Sequence, residues 1–222
     1  MFGLVIILWL GGHLRGRLTL VVVIVTGAIL LLTHTRTALL ALTVGLLLAG
    51  LSLIMVKARV RKLFAAAGVV VAIVTITLSS YISNFLTRGQ NTQQLHNLTG
   101  RTAVWGPLLA YPRDKFQMIF GFGLSNDSSP VNGLPIDSNW FASYQEQGFI
   151  GVIICAIILV FLLVAAYFQT NRLQRALAIF LVAYSLVASF TEVTFADVSM
   201  YLLDLTVAAS LIVSSAANWE PP

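Results

Sequence analysis

GFIGVIICAIILVFLLVAAYF, residues 148–168, is an unbroken apolar run of 21 residues that contains no charged side chain. An α-helix needs about 20 such residues to cross roughly 30 Å of hydrocarbon. The rest of the chain has the same character, since 58% of its 222 residues are hydrophobic and only 9% are charged. No single water-soluble core could bury this much apolar surface. The composition therefore predicts an integral membrane protein.

Six apolar runs are long enough to be spans, and together they predict an all-α, polytopic transmembrane helix bundle. They cover residues 18–34, 37–56, 63–83, 148–168, 176–191 and 199–216. The opening run, Met1–Gly12, is too short to cross alone and lacks the small-residue cleavage site of a signal peptide. We interpret it as the end of a further, partial span.

Positive charge predicts the orientation of the bundle. The basic clusters are His13–Arg17, Lys57–Lys62 and Asn171–Arg175, and two predicted spans separate each cluster from the next. All three therefore fall on one face, which the excess of Lys and Arg marks as cytoplasmic. The net charge of +5 reflects this topology and gives no support to nucleic-acid binding.

The same count divides the chain into three parts in the cell membrane. Residues 1–83 are predicted to form N-terminal transmembrane helices, and residues 84–147 a long extracytoplasmic loop. Residues 148–222 are predicted to form C-terminal transmembrane helices and a short tail. The loop is rich in aromatic residues, which argues against disorder.

Two arginines on the outer face are candidates for anion binding. Arg36 stands at the mouth of an apolar helix, where it either anchors the helix at the interface or meets an anion. Arg101 begins an amphipathic segment that is predicted to lie flat on the membrane; the residues of its apolar face are Val104, Trp105, Leu108 and Leu109. The alternative for Arg101 is a solvated surface charge. Arg113 and Lys115 resemble ordinary loop charge.

Asp137, in PIDSNW (135–140), is the most informative carboxylate of the loop. It precedes a helical run, so Asp137 or Ser138 is predicted to be the N-cap of that helix. A carboxylate at the membrane surface near cationic groups can also be a general base. Three further acidic residues are interpreted as structural partners of arginines on neighbouring helices: Glu192, Asp197 and, within the last span, Asp204.

No motif for a metal or a soluble cofactor is present. Gly121-Phe-Gly123 resembles a fragment of a phosphate loop, but neither a strand nor a third glycine accompanies it. His34 and His96 have no partner at ligand spacing, and Cys155 is the only cysteine. The sequence contains no nucleotide-binding motif, so a lipid-linked substrate that is delivered to the outer face agrees best with it.

Four motifs together resemble the C-terminal half of the O-antigen ligase and O-antigen polymerase family, which are bacterial multi-span glycosyltransferases. They are THTRTALLALTVGLLLAG (33–50), GRTAVW (100–105), FGFGLS (120–125) and DSNWFASYQEQGFIGV (137–152). The resemblance extends over about residues 30–165. It implies that the chain supplies roughly the last half of such an enzyme. Three alternatives follow: a fragment of a longer protein, a separately encoded half, or a subunit whose partner is a second chain with N-terminal helices.

The resemblance implies a metal-independent, inverting transfer of a glycan from a polyprenyl-diphosphate carrier to a lipid or glycan acceptor on the outer face. By it, Arg36 and Arg101 hold the donor diphosphate, which suits the forked guanidinium group. Ser138 stands where the ligases carry a catalytic His, and we therefore expect Asp137 to be the base. Trp105, Ser138, Asn139 and Trp140 are the expected substrate-binding residues.

Three other functions remain open. The chain resembles half of a transporter or flippase if Arg36 and Asp204 line a path for an anionic substrate. It is a non-catalytic subunit of a glycan assembly complex if the loop only docks a partner protein. A hydrolase that uses carboxylates from Asp127, Asp137 and Glu146 is a weaker alternative.

Overall fold

A computed structural model describes residues 2–10, 17–32, 36–54, 101–123, 136–194 and 199–217. All regular secondary structure in these ranges is helical, which confirms the predicted all-α class. The helices are α1 (Phe2–Leu10), α2 (Arg17–Leu32), α3 (Arg36–Ile54), α4 (Arg101–Ala110), α5 (Lys115–Phe120), α6 (Asn139–Tyr167), α7 (Arg172–Ala188) and α8 (Met200–Ala217).

One helix in the described ranges, α6 with 29 residues, is both long and apolar enough to cross a membrane. Thr37–Leu53 and Met200–Ser214 are shorter apolar helices. The predicted span 63–83 and parts of the predicted loop, residues 84–100 and 124–135, lie outside the described residues. The bundle of six spans therefore stays a prediction, as does the division into three parts.

The chain folds as two compact units. The first contains Met1–Val69, Leu159–Ala188 and Met200–Pro222, and the second contains Val70–Ile158 and Ser189–Ser199. Helix α6 contributes residues to both, because the boundary between Ile158 and Leu159 falls within it.

Helix α7 is the centre of the first unit. It packs against α3, α8 and α1, and every residue from Ala176 to Ala183 is buried. The ring of Phe180 lies against the backbone of α1 at Gly3 and of α3 at Gly45. Any side chain at either glycine would overlap that ring, so the two glycines permit the helices to approach closely.

Side-chain bonds to backbone carbonyls fix the ends of these helices. Arg175 Nη2 donates to Ser52 O at 3.1 Å, and Gln169 Nε2 donates to Ile212 O at 2.8 Å. Ser52 lies near the end of α3 whereas Arg175 lies near the start of α7, so these two helices run antiparallel. The bond to Ser52 satisfies a carbonyl of the last turn of α3, which has no partner within the helix.

In the second unit, the predicted amphipathic segment is helix α4. Leu108 is fully buried there, while its neighbour Leu109 is 59% exposed, so the apolar face predicted for both residues is divided between interior and surface. Helix α5 follows and begins with a capping box: Gln117 N donates to Asp114 Oδ1 at 2.6 Å, and Asp114 N donates to the Gln117 side chain at 3.2 Å. This pair satisfies two free N–H groups at the helix start.

Gly148 breaks α6 into two helical segments. Its φ of 66° and ψ of −158° lie in a region that is essentially open only to glycine. The break frees the carbonyls of the preceding turn, and the Gly121-Phe-Gly123 segment satisfies two of them. Phe122 N donates to Gln145 O and Gly123 N to Glu146 O, both at 2.9 Å. The segment that resembled a phosphate loop therefore has a structural role.

Beyond Gly148, α6 presents a stripe of apolar side chains to its surroundings. Ile153, Ile157 and Phe161 recur at four-residue spacing and are 55%, 61% and 67% exposed. Such a stripe is unfavourable in water but matches the interior of a bilayer.

Replacing Gly148 by alanine should destabilise the protein by about 3 kcal/mol or more, because strain and overlap add. A Cβ atom at this position would meet the carbonyl group of Ile119 and the amide nitrogen of Gly121, and neither backbone atom can move freely. Thermal unfolding in detergent measures the loss. Gly106→Ala is the matched control, since a Cβ there meets nothing within 4 Å; equal midpoints for the two variants would contradict this account.

Candidate functional site

Arg101 is the first residue of α4 and points toward the segment that follows α7. Its Nη2 donates to Thr191 O at 3.1 Å and lies 4.0 Å from Glu192 Oε1. The side chains of Arg101 and Glu192 are 25% and 49% exposed. This is the kind of pairing with an arginine that was predicted for Glu192. A partly exposed pair at this distance is weak, so the guanidinium group remains available to a stronger anion.

Residues 189–194, the return segment, fasten the N-terminus of α6. Asn139 N donates to Ser189 O at 3.0 Å and to Glu192 O at 3.1 Å. Trp140 Nε1 donates to Ser189 Oγ at 3.0 Å, and Thr194 N donates to Asn139 Oδ1 at 3.3 Å. Four bonds thus hold the start of α6 beside the same segment that contacts Arg101.

The N-cap position of α6 is Ser138, as one of the two predicted alternatives had it. The carbonyl of Ser138 accepts from Ala142 N at 2.9 Å, which is the first bond of the helix. Asp137, one residue earlier, is exposed, whereas Ser138 and Asn139 are buried. The exposed carboxylate therefore stands directly outside a rigidly held helix start.

Electrostatic effects connect the two carboxylates with the arginine. Burial raises the pKa of Glu192, the Arg101 guanidinium opposes this rise, and the charge of Asp137 adds to it. Asp137 therefore lies within electrostatic range of Glu192, which in turn lies 4.0 Å from Arg101. The site roles of Arg101 and Asp137 stay predictions.

The remaining predicted site residues are placed differently. Trp105, one turn after Arg101 in α4, stacks on Phe141 with ring centroids 4.7 Å apart. Trp140 packs against Phe190 in addition to its bond to Ser189. Arg36 is the first residue of α3 in the first unit, and its side chain lies outside the described residues. Its part in the site stays a prediction, as do the roles of Ser138, Asn139 and both tryptophans.

Two buried polar atoms near Arg101 make no hydrogen bond among the described residues. They are Trp105 Nε1 and Thr191 Oγ1. An indole N–H and a hydroxyl can both donate to an anion, and buried donors are costly when unpaired. Both atoms are therefore donors available to a ligand that carries acceptor oxygens.

Arg113 is the functional residue that the sequence did not reveal, because its signal there is only that of a loop charge. Its guanidinium group donates to Leu108 O, Tyr144 O and Gln145 Oε1 at 3.2, 3.3 and 2.7 Å. It also lies over the rings of Tyr144 and Phe122, at 4.2 and 4.9 Å from their centroids. Burial lowers its pKa. Arg113 therefore holds together α4, which begins with Arg101, and the first segment of α6.

The raised pKa of Glu192 predicts how its replacement depends on pH. The folded protein holds the Glu192 proton more tightly than the unfolded chain, so this residue costs stability as pH rises from the unfolded pKa through the folded one. Glu192→Gln removes that cost. We expect the melting temperature of the variant, relative to the parent, to increase between about pH 4 and pH 7. A difference that is constant or falls over this range would contradict it.

The chain is similar to a known protein family over more than half of its length. A family model described as O-antigen ligase matches residues 20–154, which is more than half of the chain. The matched range includes Arg36, Arg101 and Asp137. It also includes Gly148, where α6 breaks, and the Gly121-Phe-Gly123 segment that is bonded to the preceding turn. No curated protein and no solved structure matches the chain.

Proposed function

This chain belongs to the O-antigen ligase family, and from that premise we propose that it transfers a glycan from a polyprenyl-diphosphate carrier to an acceptor hydroxyl. The reaction takes place on the outer face of the cytoplasmic membrane, with residues 84–147 extracytoplasmic and the remaining helices crossing the bilayer. The observation that carries the proposal is the cluster of Arg101, Glu192 and Asp137. It combines one cation for a phosphate with carboxylates for a proton.

In the proposed mechanism, the diphosphate of the donor takes the place of Glu192 at Arg101. A phosphate oxygen accepts a charge-assisted bond from the guanidinium group, which is stronger than the 4.0 Å ion pair it replaces. Trp105 Nε1 and Thr191 Oγ1 are further donors within the same region. Arg36 would bind the other phosphate group, as the family resemblance implies.

Asp137 would then act as the general base. It accepts the proton of the acceptor hydroxyl while that oxygen attacks the anomeric carbon of the sugar. The bond from the anomeric carbon to the phosphate oxygen breaks, and the diphosphate leaves with the electron pair. A single displacement of this kind inverts the anomeric centre. Arg101 stabilises the charge that develops on the leaving group, which lowers the barrier.

The N-terminus of α6 explains how the base is positioned. Asn139 is buried and bonded to the return segment, so its proposed role is to hold Asp137 next to Arg101. Trp140 reinforces the same attachment through Ser189. Ser138, at the position of the family's His, is buried and at the N-cap, so the exposed Asp137 is better placed to meet an acceptor.

Reconstitution tests the proposal and separates it from transport. The purified chain, alone and with a second chain that supplies N-terminal helices, is placed in liposomes with a polyprenyl-diphosphate glycan and an acceptor glycan. We expect a new glycosidic bond, detected by mass spectrometry, with the opposite anomeric configuration. Movement of the donor across the bilayer without any new bond would select a flippase half and refute the proposal.

A further inference from the structure

A groove in the first unit is lined by none of the residues to which the proposed function assigns a role. It has a volume of about 550 Å³, within the range of about 300–1,000 Å³ that is typical of ligand pockets. Three helices line it, each mainly with a pair of residues one turn apart. These pairs are Leu48 and Ser52 of α3, Leu163 and Tyr167 of α6, and Arg175 and Ile179 of α7.

The polar and apolar members of these pairs occupy different levels. Ser52, Tyr167 and Arg175 all lie at the same end of the unit, because α3 and α6 end there and α7 begins there. Their partners Leu48, Leu163 and Ile179 lie one helical turn deeper, about 5.4 Å along the helix axes. The groove therefore has an aliphatic floor and a mouth where Ser52, Tyr167 and Arg175 lie beside Leu51.

Arg175 gives the mouth a positive charge that the described part of the chain does not neutralise. Its guanidinium group donates once, to the carbonyl of Ser52, and its Nε is buried without a hydrogen-bond partner. Within the described ranges no acidic side chain forms an ion pair with it. A guanidinium group next to an aliphatic floor is unfavourable unless an anion or the membrane interface receives it.

We propose that this groove binds one anionic phospholipid of the membrane. The phosphate would lie at Arg175, with Ser52 and Tyr167 beside it, and the first part of an acyl chain would run over Leu48, Leu163 and Ile179. The order of polar and apolar walls matches that of a phospholipid, from headgroup to chain. The predicted topology also places the Asn171–Arg175 cluster on the cytoplasmic face, where anionic lipids attract basic residues.

The full chain purified in mild detergent tests this proposal. Lipid retention is measured by native mass spectrometry after exchange into micelles that contain phosphatidylglycerol or phosphatidylcholine. We expect one phosphatidylglycerol per chain to be retained, and Arg175→Gln to weaken its binding about fivefold or more. Arg172→Gln is the matched control, because Arg172 is an exposed cation in the same first turn of α7 and does not line the groove.

A second variant leaves the charge intact. Leu163→Trp fills the floor of the groove and should reduce retention of phosphatidylglycerol by a similar factor, whatever the folding yield of Arg175→Gln. The proposal is overturned by equal retention of the two lipids, or by equal effects of the Arg175 and Arg172 replacements. It is also overturned if the Leu163 variant dissociates a dimer while lipid binding stays unchanged, since the occupant is then a second copy of the chain.

Discussion

Arg101→Ala should lower the rate of glycan transfer about 10²- to 10³-fold, which is the usual cost of removing one donor that stabilises a developing negative charge. Within the part of the chain that the structure describes, the partners of the Arg101 guanidinium group are a backbone carbonyl and a carboxylate 4.0 Å away. Arg101 is proposed to stabilise the transition state, in which negative charge accumulates on the leaving diphosphate. Transfer in liposomes at saturating and at limiting donor concentration separates the effect on turnover from the effect on donor binding.

Two further variants make that experiment specific. Arg101→Lys keeps the charge but loses the planar fork, so it should recover only part of the rate. Lys115→Ala removes an exposed cation at the start of α5 in the same unit and should leave transfer unchanged. If the Arg101 and Lys115 replacements gave equal rates, the donor site would not be at Arg101.

Asp137→Asn should reduce turnover about 10²- to 10⁴-fold, because an amide cannot accept the acceptor's proton. The replacement keeps the size of the side chain, and Asp137 is exposed, so folding should be unaffected. Asp114→Asn is the matched control, since Asp114 caps α5 and an asparagine can cap a helix equally well. Normal transfer by the Asp137 variant would exclude Asp137 as the base.

Glu192→Gln, assayed beside it, identifies which carboxylate takes the proton. If Asp137 is the base, the Glu192 variant should retain turnover and bind the donor more tightly, because Arg101 then lacks its resident counter-ion. Loss of turnover in the Glu192 variant with normal turnover in the Asp137 variant would instead assign the base to the return segment.

Local patterns in the sequence predicted the helices well. Apolar runs indicated α2, α3, α7, α8 and the long second part of α6. A helix that crosses hydrocarbon needs an uninterrupted apolar stretch, and its residues are contiguous in the sequence. The same patterns make Arg101 and Asp137 candidate site residues, since each is a charge beside an apolar segment, and their roles stay predictions.

Features that depend on distant residues could not be predicted. The contacts of Arg113 join residues 108, 113, 144 and 145, and no spacing in the sequence indicates such a cluster. The return segment reaches the start of α6 across about 50 positions, through bonds of Asn139 and Trp140. The structural role of Gly121-Phe-Gly123 could not be predicted, because its partners, the carbonyls before Gly148, are freed only by a backbone break that depends on the folded structure.

Two hydrogen bonds from the Gly121–Gly123 segment hold the turn that precedes the break at Gly148, and the backbone at Ile119 and Gly121 packs closely against that glycine, so the angle between the two segments of α6 is restrained. A helix that crosses a bilayer tilts when the hydrocarbon layer becomes thinner or thicker than its apolar length. Because the angle at Gly148 is restrained, that tilt would rotate the short helical segment that follows Asp137. The rotation would change the height of Asp137 above the lipid headgroups. Lipid chain length should therefore change the position of Asp137 relative to the membrane through the backbone break at Gly148.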